Sequence, residues 1–231
     1  MMDGAGKHVM RVDEQRGGGE RTGLDRPRDA ARRPSAARRR ILQTADRLFY
    51  DHGVRAISVD RIVAEAGVTR VTFYRHFPSK EDLVEAYLLA RAERGRRRVE
   101  EARAHAPDDP RVALDAIAMT LVEDSAVPGF RGCEFVNAAA EYSDVDDPAR
   151  TLAVAQRAWI VDVTEDLLAQ LGHARPRELA QVLLMLRTGA VYAAGLDRTE
   201  NAFPLFLQTW RTLIDSTLGA PADGERNPDR G

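Results

Sequence analysis

One cysteine, Cys133, stands in 231 residues, so no disulfide within the chain can brace the fold, and a reducing cytoplasm is the expected setting. No stretch approaches the ~18 consecutive apolar residues that a membrane helix needs, and no apolar segment follows the basic N-terminal residues as a secretion signal would require. A membrane is therefore not an expected partner. Lysine is nearly missing too: apart from Lys7 and Lys80, all of the 34 basic residues are arginine. There is no HExxH pair, P-loop or dinucleotide-binding glycine fingerprint, and His8, His52, His76, His105 and His173 are widely separated. The expectation is a protein without catalytic residues, metal or cofactor. Period-two alternation is lacking as well, which removes the signal for strands.

What the chain does have is helical periodicity and an uneven charge. The net charge is −2, yet between Ser35 and Lys80 there are nine basic residues against four acidic ones, a surplus of five. Such asymmetry points to a polyanionic partner. Residues 1–34 contain a triple glycine, Pro27 and Pro34 without apolar spacing, and residues 220–231 contain Pro221, Gly224 and Pro228, so both ends are expected to be disordered tails. Ile41, Ala45, Leu48 and Phe49 then recur as one face of a helix, and Val59, Ile62, Val63 and Ala66 as a second. Phe73 and Phe77 mark a third, and a fourth runs from Ser79 to about Ala104, capped by Ser79 with Asp82. Further helices are expected over 111–124, 129–142, 148–171, 176–196 and 201–218. The reading is all-α, ~nine helices, with a three-helix DNA-binding domain over 35–95 and a larger helical domain over 96–219.

Ser58 to Phe77 reads as a short amphipathic helix, a turn at Gly67 and a second short helix. That is helix-turn-helix geometry, with glycine at the turn because it accepts positive φ at no steric cost. The second helix needs only Val68, Phe73 and Phe77 for its core side. Arg70, Val71, Thr72, Tyr74, Arg75 and His76 are left for another surface. Arg70 suits guanine O6 and N7, Val71 a thymine methyl, and Thr72 a base or phosphate, while Tyr74, His76 and Lys80 suit phosphates. Ser58 and Thr69, at the helix starts, complete the candidate DNA-binding set.

The run AGVTRVTFYRHFPSKEDL from Ala66 to Leu83 resembles the N-terminal signature of the tetracycline-repressor (TetR) family, over about 50 to 60 residues. The resemblance implies an all-helical regulator with three DNA-binding helices followed by a region that binds an effector and dimerises. It implies base-reading positions at Arg70, Val71 and Thr72 and backbone-contacting ones at Tyr74, His76 and Lys80. The partners it implies are double-stranded DNA at a palindromic operator, a second copy of the chain, and a small-molecule effector that releases a repressor.

Apolar stripes with Leu183, Leu186 and Ala190, and with Phe206, Trp210 and Leu213, suit either a four-helix interface between two subunits or packing inside one. The resemblance implies the interface. Met119, Phe130, Phe135, Asn137, Tyr142 and Trp159 suit an effector pocket, and equally an ordinary core. Cys133, flanked by Arg131 and Glu134, is expected to pack as a small hydrophobe rather than to sense oxidants. The alternative reading is an architectural or cell-division protein that binds DNA at the nucleoid with the same domain and no small effector.

Overall fold

Side-chain hydroxyls set where the first helices begin. A computed structural model describes residues 35–125, 129–142, 144, 146–195 and 201–216. The tails expected at 1–34 and 220–231, and the last two residues of the helix expected over 201–218, lie outside them. Ser35 caps α1 (Ala36–His52) by accepting from the Arg38 amide, and Ser58 caps α2 (Val59–Ala66) by accepting from that of Arg61. Thr69 caps α3 (Arg70–His76) through the Thr72 amide, and Ser79 caps α4 (Lys80–His105) through that of Asp82. Gly67 ends α2 in the left-handed region at φ 60° and ψ 45°, and the Val68 amide reaches back to the Val63 carbonyl at 3.2 Å. This closing motif is what makes the turn between α2 and α3 tight.

Prolines start three of the later helices, α5 (Pro110–Ser125), α7 (Pro148–Gln170) and α8 (Pro176–Gly195), where a missing N–H costs nothing. The remaining two are α6 (Glu134–Glu141) and α9 (Ala202–Ser216). The helix expected from residue 129 thus begins five residues late. Gly129 and Gly132 hold φ of 86° and 88°, a mirror-image conformation that no right-handed helix can include. Among the described residues there is no strand, and no described helix is long and apolar enough to cross a membrane.

Two groups of buried side chains hold the helices together. In the first, Ile41, Leu48 and Phe49 of α1 meet Ile62, Phe73, Phe77 and the start of α4. Phe135 and Ala138 of α6 and Ala149 and Ala153 of α7 join this core, so it draws on more of the chain than residues 35–95. In the second, α5, α7, α8 and α9 enclose Leu114, Leu168, Leu183, Phe206 and Trp210. α4 belongs to both, giving Leu83, Tyr87 and Leu88 to one core and Val99 to the other.

Candidate nucleic-acid interface and ligand cavity

Phe73 and Phe77 are fully buried and fix the inner side of α3; each such side chain contributes roughly 1.5–3 kcal/mol by leaving water. Phe73 packs edge-on against Tyr74 at 5.2 Å between ring centroids, which steadies the tyrosine while about half of it stays in solvent. On the outer side Val71 is 78% exposed, an unusual place for a β-branched apolar side chain in a helix. Arg70 and Arg75 are exposed beside it, and Thr72 and His76 are half-buried.

The neighbours of these residues are held by α1 and α2. Arg70 pairs with Asp60 near the start of α2 at 2.5 Å, with both side chains more than half exposed. An ion pair in that setting is worth little and can be exchanged for a phosphate or a guanine. His76 Nε2 lies 3.0 Å from Ser35 Oγ, joining the end of α3 to the start of α1, and the Arg38 guanidinium sits 5.0 Å over the Phe77 ring. Burial lowers the Lys80 ammonium from its ordinary pKa, the charges of Glu81 and Glu141 opposing the shift. Ser58 and Thr69 serve as helix caps, and Thr69 Oγ1 lies 3.0 Å from Thr72 Oγ1. The residues singled out from the sequence therefore stand on α3 and at the starts of α2, α3 and α4, with Arg70, Val71, Tyr74 and Arg75 exposed and Phe73 buried.

Behind this unit, contacts tie the end of α1 to the segment that precedes α6 and to α6 itself. The Tyr50 hydroxyl donates to the Gly132 carbonyl at 3.0 Å and accepts from the Arg131 amide at 2.9 Å. Glu141 accepts from the Val54 and Arg55 amides at 2.9 and 2.7 Å. Gly53 turns between them at φ 87°, and a Cβ there would come within 2.9 Å of the Glu141 carboxylate. Cys133, at the start of α6, has its thiol pKa raised by burial, which is the reverse of what a reactive thiolate needs.

A cleft of about 590 Å³ including its open mouth lies between α4, α5, α6, α7 and α8. Val99, Ile117, Phe135, Trp159 and Ile160 form its apolar wall. Arg91, Arg94, Arg98 and Arg187 project to it, against the carboxylates of Asp124 and Glu134. Arg91 forks onto Asp46 of α1 and stands over the rings of Tyr50 and Tyr87 at 5.2 and 5.7 Å. Burial works against its cation, but the hydrogen bonds it donates to Asp46 and the charge of Glu134 outweigh it and raise its pKa. Burial raises the Glu134 carboxyl in turn, with the Arg91 charge opposing.

Of the six residues read as a pocket, Phe135 and Trp159 line this cleft and four do not. Phe130 packs edge-on against Phe203 at 6.1 Å, and Tyr142 lies 5.6 Å under the Arg55 guanidinium. Asn137 is exposed and borders neighbouring clefts, and Met119 is half-buried away from the wall. Sequence reasoning missed the arginines, because the pocket was sought among aromatic and uncharged side chains; the spacing Arg91, Arg94, Arg98 puts all three on one face. Of the residues read as an interface, Leu183, Ala190, Phe206 and Trp210 are buried in the chain's own second core, and Leu186 and Leu213 pack against it. Among the described residues no group of three His, Cys, Asp or Glu side chains could hold a metal ion.

The family model described as bacterial regulatory proteins, tetR family, matches residues 41–87. The solved structure of a TetR-family transcriptional regulator from Streptomyces coelicolor is similar over 79% of this chain and 96% of that one, with a TM-score of 0.74 and 39% identity. The regulator AcrR of Shigella flexneri is 29% identical over 168 residues, 68% of this chain and 73% of that protein. The repressor KstR2 of Mycolicibacterium smegmatis is 38% identical over 60 residues, 26% of this chain and 29% of that protein.

Proposed function

Since the chain belongs to the TetR family of DNA-binding transcriptional regulators, we propose that it represses from a palindromic operator as a homodimer and is released by a small-molecule effector. The observation that carries this reading is the sharing of α4. Its first turns belong to the core that backs α3, and its residues Arg91 to Val99 border the cleft. Anything that fills the cleft acts on the same rigid element that positions the DNA-facing helix, and a preference for one of its positions is all that an effector requires.

Arg70, Val71 and Thr72 are the base-reading side chains, and Tyr74, Arg75, His76 and Lys80, with Ser58 and Thr69, lie where phosphates would pass. One short helix covers few base pairs, so two copies are needed. On α8, Val182, Met185, Gly189 and Tyr192 follow one another at helical spacing on the exposed side, and Leu205 of α9 is 62% exposed. This face, rather than the buried stripe, is the one a second copy would cover. The cleft with its polar lining favours this over an architectural role on DNA, for which no such cavity is needed.

The test is retardation of a fragment from the protein's own promoter region at low salt. Binding by the wild type and its loss on combined Arg70→Ala and Tyr74→Ala is the expected result. Equal binding by that variant would refute the assignment of the surface.

A further inference from the structure

Two residues that line the cleft each carry a buried polar atom with no hydrogen-bond partner among the described residues. Gln156 on α7 is 7% exposed, and its Oε1 has no donor among the described residues. Nε of Arg187 on α8 is likewise buried without an acceptor. An unpaired buried polar atom costs about 1–3 kcal/mol, so such a pair in one cavity marks what is meant to enter it.

The charges are distributed to the same end. Arg91 and Arg94 share Asp46, at 2.7 and 3.1 Å. Among the described residues Arg98 has only the looser Glu123 and Asp124, at 3.5 and 3.7 Å. Arg187 has no carboxylate within ion-pair distance among the described residues, and the carboxyl nearest in effect, Glu134, has its ionisation disfavoured by burial. The wall opposite is apolar and partly aromatic, with Phe135 and Trp159, and the Arg96 guanidinium covers the Trp159 ring at 5.4 Å.

We propose that the cleft takes a hydroxylated aromatic carboxylate, its carboxylate on Arg187, its hydroxyl donating to Gln156 Oε1, and its ring against Phe135 and Trp159. A carboxylate supplies the acceptor that Arg187 Nε lacks, in the charge-assisted form that is strongest away from water. A hydroxyl supplies the donor that Gln156 lacks, and a planar body fills the apolar side. A cation would meet four guanidiniums, and a neutral amide would leave their field uncompensated. The proposal rests on the effector reading above.

The experiment is calorimetric titration of the full-length protein with 4-hydroxybenzoate, benzoate, 4-hydroxybenzamide and tyramine. The hydroxy acid should bind, benzoate about tenfold more weakly, and the amide and the amine not measurably. Arg187→Gln should abolish binding of both acids, and Gln156→Leu should bring the hydroxy acid down to the affinity of benzoate while leaving benzoate unchanged. Unaltered thermal unfolding confirms that each variant is folded. Binding of tyramine or the amide as tightly as the acid, parity of the two acids in the wild type, or no binding by either acid overturns the proposal. Promoter retardation with the same compounds separates this result from the wider reading. An acid that binds without releasing DNA sinks the effector role alone, and release by tyramine without binding of acids sinks the ligand class alone.

Discussion

Arg91 and Asp46 are joined by two parallel hydrogen bonds, Nε to Oδ1 at 2.7 Å and Nη2 to Oδ2 at 3.0 Å, and so clamp α4 to α1. Their side chains are only 19% and 26% exposed, and among the described ion pairs only the longer Arg91–Glu134 contact, at 4.0 Å, is more buried. Asp46 also accepts from Arg94 at 3.1 Å. Asp46→Ala should therefore strand two guanidiniums and destabilise the protein by about 2 kcal/mol, read from urea unfolding. Asp60→Ala, which removes the exposed partner of Arg70, should change stability by less than about 1 kcal/mol.

On DNA, Arg70→Ala should cost about 1–3 kcal/mol and relax preference at one base pair, whereas Lys80→Ala should weaken all sequences alike. The measurement is binding to a set of single-base operator variants over a salt series. Lys80→Ala should lower the salt slope by about one and leave the ranking of sequences intact.

Two glycines with positive φ should respond differently to alanine. At Gly67 a Cβ would meet nothing within 4 Å, so Gly67→Ala costs only the backbone strain, about 1 kcal/mol. At Gly53 the same strain is joined by a contact of 2.9 Å with Glu141 Oε1. Gly53→Ala should destabilise more than Gly67→Ala by chemical denaturation, and Glu141→Ala should narrow the difference.

Much of the fold could be read from the sequence because local chemistry decided it. Ser35, Ser58, Thr69, Ser79 and Asp147 each cap the helix expected to follow, and Gly67 sits at the turn where its φ is needed. The start of α6 was hidden, because nothing in a sequence tells Gly129 and Gly132 at positive φ from glycines tolerated inside a helix. The inward face of α8 was hidden for another reason. Leu179 and Leu183 lie on one side and Val182, Met185 and Tyr192 on the other, so its periodicity serves two faces and only packing separates them. For the cleft, aromatic content led to Phe135 and Trp159 but equally to Phe130 and Tyr142, which pack elsewhere.

That division of α8 gives a further expectation. Met185→Glu or Tyr192→Glu should leave the chain folded and shift it towards monomer in analytical ultracentrifugation. Leu183→Ala, in the buried row, should instead cost about 3 kcal/mol of stability.

Acid should find a weak point at His173, buried after α7, whose pKa is lowered first by burial and then by the Arg111 cation. As pH drops through about 6.5 the unfolded chain takes up a proton there before the folded chain does, so stability present above that value is lost below it. Unfolding midpoints compared between pH 7.5 and pH 5.5 should fall less in His173→Asn than in the wild type. An equal fall in both would remove His173 from the account.

The hydroxyls that open α2 and α3 complicate any alanine scan of the DNA-facing surface. Removing Ser58 Oγ or Thr69 Oγ1 frees a backbone amide and frays the first turn of a short helix, at about 1 kcal/mol, whether or not DNA ever touched that oxygen. Weakened operator binding at either position thus reports a loosened scaffold as readily as a lost contact. Exchanging serine for threonine at 58, and threonine for serine at 69, keeps the amide satisfied and lets the two effects be told apart.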